Sequence, residues 1–381
     1  MISIYVHIPF CVRKCKYCDF LSFKADSAVE DAYIDALLKE IERTECKDRL
    51  VRSIYIGGGT PSTLSGEKIG KILSEIKTKF NLLPNCEISM ECNPGTASYE
   101  KLSAYREAGV NRLSLGLQSC NDNELKLLGR IHTYDQFVET FNLARKAGFD
   151  NINIDLMSAL PGQSVESYKN SLTKVVNLNP EHISAYSLII EEGTEFAALY
   201  GDDTNVKNSE KLPNEDDERA MYYLTKEMLA ANGYTRYEIS NYSKEGYECR
   251  HNLVYWTGDD YISFGIGAAS YVEGVRYSNT SDIECYIDHI NNDDINGIHV
   301  DITPLSTKDK MEEFMIVGLR LMKGISSASF AKLFGQDIEA VYGMQLNALI
   351  KNGLIRRTDM GFTLTERGID VSNQVLEEFL L

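Results

Sequence analysis

The chain contains no apolar run approaching the ~20 residues needed to span a bilayer. It also lacks positive charge: 39 Lys and Arg stand against 56 Asp and Glu, a net charge of −17. The first absence argues against a transmembrane helix. The second disfavours non-specific nucleic-acid binding, because phosphates repel an acidic surface. The start, MISIYVHIPF, has no basic segment followed by a long apolar core, so no secretory leader is expected. A cytoplasmic protein is expected, peripheral at a membrane only through a partner. A disulfide framework is not expected either: nine cysteines in a long chain without a leader indicate reduced thiols. Six of them (Cys46, Cys86, Cys92, Cys120, Cys249 and Cys285) are scattered and are expected as small buried hydrophobes.

In the first half, apolar runs alternate with amphipathic stretches. ISIYVHI, RSIYIGGG, EISMEC, RLSLGLQ, NINIDLMSALPG and HISAYSLII have the composition of strands. Between them, residues 28–45, 65–80, 97–108, 134–147 and 164–177 have helical spacing, with Ser65 and Ser164 as caps. Repeated βα units predict a parallel sheet, an α/β fold. Gly57–Gly59, Glu91, Gln118 and Asp155 cluster where strands end, the ligand-binding rim of such folds.

Residues 201–218 are polar and acidic and read as a solvated loop, followed by a helix at 215–232 and short strands to about 300. From 306, MEEFMIVGLRLM, ASFAKLFG and IEAVYGMQLNALIKNG look helical, and LIRRTDMGFTLTERG reads as a hairpin turning at Met360-Gly361. This predicts a small winged-helix-like module, a packing or protein-contact unit rather than a DNA reader. The expected division is residues 1–190, 191–305 and 306–381.

CVRKCKYC places Cys11, Cys15 and Cys18 in a C-x3-C-x2-C frame, and position 20, where a fourth thiol would complete a C-x-C ending, is Phe20. Three thiolates hold three corners of a four-iron cluster and leave one iron open for a ligand. Arg13, Lys14 and Lys16 would offset the cluster's negative charge. The alternatives are a structural zinc with His7 as fourth ligand, although zinc frames usually come as separated cysteine pairs, and a chance grouping of thiols.

This motif after a first strand, with Tyr17 beside the last cysteine, resembles the radical S-adenosylmethionine (SAM) superfamily. There, the amino and carboxylate groups of SAM chelate the open iron of a [4Fe-4S] cluster. The fold this implies is a partial (β/α)6 barrel with a C-terminal α+β extension. YVHIPFC, GGGTPS, SMECNPG, LSLGLQS, LGRIHT and INIDLMSALPGQ resemble a narrower group, that of the oxygen-independent coproporphyrinogen III oxidases. By that resemblance, Tyr5, Tyr17, Gly58, Gly59, Thr60, Glu91, Gln118, Arg130 and Asp155 are implicated in binding SAM.

Two features depart from the oxidases: Phe20 at their C-x-C position, and a first strand that starts without their N-terminal arm. RHNLVYW (250–256) followed by YISFGIGAASY instead resembles heme chaperones of the HemW type, which deliver heme to membrane-bound respiratory proteins. His251 has the chemistry of an axial ligand, and Tyr255 and Trp256 that of a flat wall for the macrocycle. A core histidine beside packed aromatics is the competing reading. The resemblance therefore implies three cofactors, [4Fe-4S], SAM and heme, and as partners heme acceptors, with a homodimer compatible. Porphyrinogen decarboxylation and a structural metal without radical chemistry are the alternatives.

Overall fold

The six predicted strands form β1 (Ile2–Ile8), β2 (Leu50–Gly58), β3 (Asn81–Cys92), β4 (Arg112–Gln118), β5 (Ile152–Ser158) and β6 (His182–Ser187). The computed structural model describes residues 1–45, 49–201 and 211–381. Cys46 and the 202–210 part of the predicted acidic loop lie outside the described residues.

The strands pair in chain order, each parallel to the next. The crossovers carry α1 (Ser27–Arg43), α2 (Gly66–Lys79), α3 (Tyr99–Ala108), α4 (Asp122–Leu127), α5 (Tyr134–Lys146) and α6 (Val165–Asn177). Ser65 and Ser164 cap α2 and α6 as expected, accepting from the amides of Lys68 and Ser167. Parallel crossovers share one hand, so sequential strand order puts the helices on one face. That face carries Ile4, Ile54, Met90, Leu115, Ile154 and Ile183, all buried in the main apolar cluster. Each fully buried side chain of this kind contributes ~1.5–3 kcal/mol. The opposite face is left to line an interior. The sheet is an open partial barrel; no closed barrel forms among the described residues.

After α7 (Glu195–Tyr200) and α8 (Glu215–Ala231), the chain adds strands to both edges of this arc. β7 (Thr235–Arg236) and β8 (Asn241–Ser243) extend it antiparallel beyond β6. Next comes α9 (Arg250–Thr257), which packs on β2 and β3. β9 (Tyr261–Phe264) joins β1 in parallel, and β10 (Ala269–Val272), β11 (Val275–Asn279), α10 (Ile283–Asn291) and β12 (His299–Pro304) follow. Among the described residues the sheet has 12 strands.

The C-terminal region comprises α11 (Thr307–Gly318), β13 (Ile325–Ser326), α12 (Ser327–Phe334), α13 (Ile338–Lys351), β14 (Ile355–Arg357), β15 (Gly361–Leu364), α14 (Glu366–Asp370) and α15 (Ser372–Glu377). β14 and β15 form the predicted hairpin, β13 adds a third strand, and a separate apolar cluster built on Phe330, Tyr342, Phe362 and Phe379 lies behind them. The expected helical run LRLM does not continue α11: Met322 N donates to Tyr237 O at 3.0 Å, and Leu321 bridges Glu238.

Candidate functional site

Because side chains alternate across a strand, the inner face of the arc receives every second residue. These are Tyr5 and His7 on β1, Tyr55 on β2, Glu87 and Glu91 on β3, Arg112, Ser114, Gly116 and Gln118 on β4, and Asn153 and Asp155 on β5. Many of them line a cavity of about 380 Å³ under the cysteine loop, together with Cys11, Cys15, Tyr17, Cys18, Gly58, Gly59, Thr60 and Arg130. Eleven of the twelve residues predicted for cluster and SAM thus meet in one space. Tyr5 instead lines an adjoining cavity of about 380 Å³ with His7, Tyr55, Glu91, His251, Asn252 and Tyr255.

The three thiols face the first cavity without converging on the spacing of a single metal ion; no such group occurs among the described residues. Cys11 Sγ lies 3.3 Å from Thr60 Oγ1, and Arg130 Nη1 donates to Cys15 Sγ at 3.6 Å. Burial pushes the Cys18 thiol up to about 11. A buried guanidinium against a thiol, with Arg13 and Lys14 also lining the space, suits an anionic thiolate-bound cluster. His7 does not complete a zinc site: Nε2 donates to Leu21 O at 2.9 Å and Nδ1 accepts from Tyr5 Oη at 3.1 Å.

The glycine segment is shaped first by the protein's own side chains. Gly58 has φ +113°, and a Cβ there would lie 2.6 Å from the His7 ring; one at Gly59 would meet Pro9 and Phe10 backbone at 2.9 Å. This close approach lets Gly58 N donate to Glu91 Oε2 at 3.1 Å, while Tyr55 Oη donates to Oε1 at 3.0 Å. Burial, reinforced by repulsion from Asp155, raises the Glu91 carboxyl to about 7. Asp155, also raised by burial, accepts from Asn153 Nδ2 at 2.7 Å and Ser114 Oγ at 3.3 Å. Gln118 ends β4 at φ 73°, a strained conformation for a non-glycine residue, and accepts from Tyr186 Oη at 3.2 Å. Tyr17 packs against Phe196.

Asn93 was not predicted and holds the rim together: its Nδ2 donates to Thr60 Oγ1 at 2.8 Å, and its Oδ1 accepts from Arg130 Nη2 at 2.7 Å. The SMECNPG motif contains it, but no spacing rule singled it out.

The RHNLVYW helix splits in two. His251, Asn252 and Tyr255 face the second cavity, whereas Trp256 lines neither cavity and lies under Arg320, whose guanidinium carbon is 4.6 Å from the ring centre. His251 is 1% exposed, and both ring nitrogens are engaged, Nδ1 with Ser53 Oγ at 3.1 Å and Nε2 with Tyr255 Oη at 3.0 Å. Burial, with Arg112 and Arg52 nearby, lowers its pKa to about 3 and keeps it neutral. Rings of Tyr5, Tyr55, His251 and Tyr255 stack and tilt along this wall with centroids of contacting pairs 5.2–6.5 Å apart. Phe20, 61% exposed, stands at the edge of both cavities. Of the scattered cysteines, Cys86, Cys92, Cys120 and Cys249 are buried as expected; Cys285, on α10, is partly exposed instead.

Comparison with known proteins agrees with this geometry. Residues 5–175 match the Radical SAM superfamily, and residues 305–371 match the HemN C-terminal domain. The chain is 37% identical to the heme chaperone HemW of Lactococcus lactis, covering 100% of this chain and 97% of that one. It is 37% identical to that of Bacillus subtilis (100% and 99%) and 35% identical to that of Escherichia coli (100% and 98%). Among solved structures, coproporphyrinogen III oxidase (HemN) from Escherichia coli, a radical SAM enzyme, superposes with a TM-score of 0.83 at 24% identity, covering 100% of this chain and 90% of that one; this likeness concerns the fold. SAM and a [4Fe-4S] cluster are the cofactors of the superfamily. With a cysteine loop, a polar strand rim and full-length similarity all in agreement, the chain belongs to the heme chaperone HemW family of the radical SAM superfamily.

Proposed function

We propose that this protein binds heme and transfers it to acceptor proteins, the membrane-bound heme proteins of respiration, while carrying a SAM-ligated [4Fe-4S] cluster. The observation that carries this reading is the full-length similarity to heme chaperones. In this reading residues 1–190 hold cluster and SAM, residues 191–305 supply α9 and the second cavity, and residues 306–381 support α9 from outside. Cys11, Cys15 and Cys18 ligate the cluster, which supplies a redox centre with one iron open to a ligand. Tyr17, Gly58, Gly59, Thr60, Glu91, Gln118, Arg130 and Asp155 position SAM. Tyr5 stands on the partition toward the second cavity, where its ring and those of Tyr55 and Tyr255 offer heme a wall. His251, whose nitrogens are already bonded, orients Tyr255 rather than presenting a free ligand, and Trp256 supports the helix from outside. Among the described residues no helix is long and apolar enough to cross a membrane.

Phe20 has no thiol to offer at the position of the oxidase C-x-C ending, and its exposure leaves the mouth uncovered, whereas radical chemistry on a substrate needs solvent excluded. The test is anaerobic reconstitution, followed by addition of heme and an apo-heme acceptor. A Soret band that moves from this protein to the acceptor is expected, with no decarboxylation of coproporphyrinogen III in the presence of SAM and a reductant. Catalytic decarboxylation would restore the oxidase reading.

A further inference from the structure

Arg112 begins β4 on its inner face and lines the floor of the cysteine-loop cavity. It is 1% exposed, among the largest fully buried side chains of the protein. A buried guanidinium ordinarily has an ion pair or a full set of acceptors. Among the described residues Arg112 has neither: Nη1 donates to Ser89 Oγ at 3.5 Å, and Nε has no partner.

The neighbouring carboxylates balance its charge from a distance but are committed elsewhere. Glu87 accepts from Ser89 Oγ at 3.0 Å, from the amides of Arg250 and His251 at 2.9 and 3.3 Å, and from Cys249 Sγ at 3.5 Å, so that it caps α9. Asp155 is held by Asn153 and Ser114. Among the described residues Asn241 Oδ1, on the same lining, is buried without a donor, and Asn252 lines both cavities. β4 runs from Arg112 to Gln118, roughly 20 Å at ~3.4 Å per residue. Arg112 therefore stands at the opposite end of β4 from Gln118, with Asp155 between the two ends.

We infer that Arg112, on the cavity lining it shares with Asn252, forms a carboxylate-binding subsite at the opposite end of β4 from Gln118 and away from the cysteine loop. Guanidinium and carboxylate pair through two parallel charge-assisted hydrogen bonds, which would satisfy Nε directly. The carboxylate has two chemical sources: a propionate of heme reaching past Asn252 from the aromatic cavity, or an α-amino carboxylate, whose ammonium would supply the donor that Asn241 Oδ1 lacks. The first source rests on the heme-carrier reading.

The test uses the full chain with its cluster reconstituted and SAM bound. Heme and heme dimethyl ester are titrated by Soret absorbance, and free L-methionine, an α-amino carboxylate probe, is titrated separately by calorimetry. If propionate is the source, the wild type favours free-acid heme over the ester by about tenfold, in line with a charge-assisted bond. Arg112→Gln brings the two within about twofold and Asn252→Ala reduces the preference by about threefold. If an α-amino carboxylate is the source, heme discrimination is absent and Arg112→Gln weakens L-methionine by about tenfold. Asn252→Ala, at a half-buried position, keeps the test readable if Arg112→Gln does not fold. Unchanged heme discrimination and unchanged L-methionine affinity in folded, cluster-loaded variants overturn the subsite. A wild type that takes up neither heme nor ester refutes the heme-carrier reading alone, and the L-methionine titration then decides the subsite by itself.

Discussion

The two faces of the six-strand arc are made from the same residues in alternation, yet they follow different rules. Outward, Ile4, Ile54, Met90, Leu115, Ile154 and Ile183 pack against helices and are almost wholly withdrawn from solvent. Inward, their immediate neighbours are tyrosines, carboxylates, asparagines, serines and an arginine around two cavities. Parallel strands with both faces in an apolar core read as continuous hydrophobic runs; these alternate because one face supports the fold and the other surrounds a site. Stability and chemistry are therefore separable here one residue at a time.

The sharpest contrast is between two classes of cysteine. Replacing Cys11, Cys15 or Cys18 by Ala is expected to remove essentially all cluster iron, measured by iron and sulfide content after anaerobic reconstitution. Cys120→Ala, at a buried thiol bonded to Ser171 O at 3.5 Å, is expected to retain the iron and lose only ~1 kcal/mol of stability. Loss of the cluster in both classes would erase the distinction.

A neighbouring pair on β4 probes the faces directly. Leu115→Ala opens a hole in the outer core and is expected to cost ~2–5 kcal/mol in urea unfolding. Ser114→Ala, one residue away, removes a hydroxyl that accepts from Asn153 at 2.7 Å. It is expected to cost ~1 kcal/mol while weakening SAM through Asp155. Equal costs would show that the inner face also serves as core.

Glu40 is the exception that tests the rule, a carboxyl buried on the helix side. It accepts from Gly265 N at 2.9 Å, Asn279 Nδ2 at 2.7 Å and Tyr286 Oη at 2.5 Å, yet burial still raises it to about 7. Below about pH 4.5 it is neutral in both states. Between about 4.5 and 7 the unfolded chain ionises while the folded chain holds its proton, so the stability it contributes is present at low pH and lost as pH rises through 7. The contribution is at most ~3.5 kcal/mol, at ~1.4 kcal/mol per pH unit. Urea unfolding at pH 5 and pH 8 should show that decline in the wild type and less of it in Glu40→Gln; identical pH dependence would count against it.

Much of this was legible in the sequence, for physical reasons. Strands and long helices follow from local periodicity, and the cysteine frame and GGGTPS are local patterns. Short pieces such as α4, α7 and the two-residue β7 and β13 lack enough residues to show a period. Arg112, Asn93 and Asn252 escaped because their meaning depends on which strands become neighbours. Their signal was nevertheless present: RLSLGLQ and INIDLMS alternate polar with apolar residues, which marks a lined interior. Trp256 was grouped with His251 and Tyr255 because they are close in sequence, but in a helix residues 255 and 256 point about 100° apart.

That angle gives α9 two audiences. Its eight residues make barely two turns, held at the start by Glu87 and too short to bend. Tyr255 lines the aromatic cavity while Trp256, the next residue, lies beneath Arg320, and α9 also packs on α11. Two turns of helix thus join the wall of the cavity to the C-terminal region without a flexible segment between them.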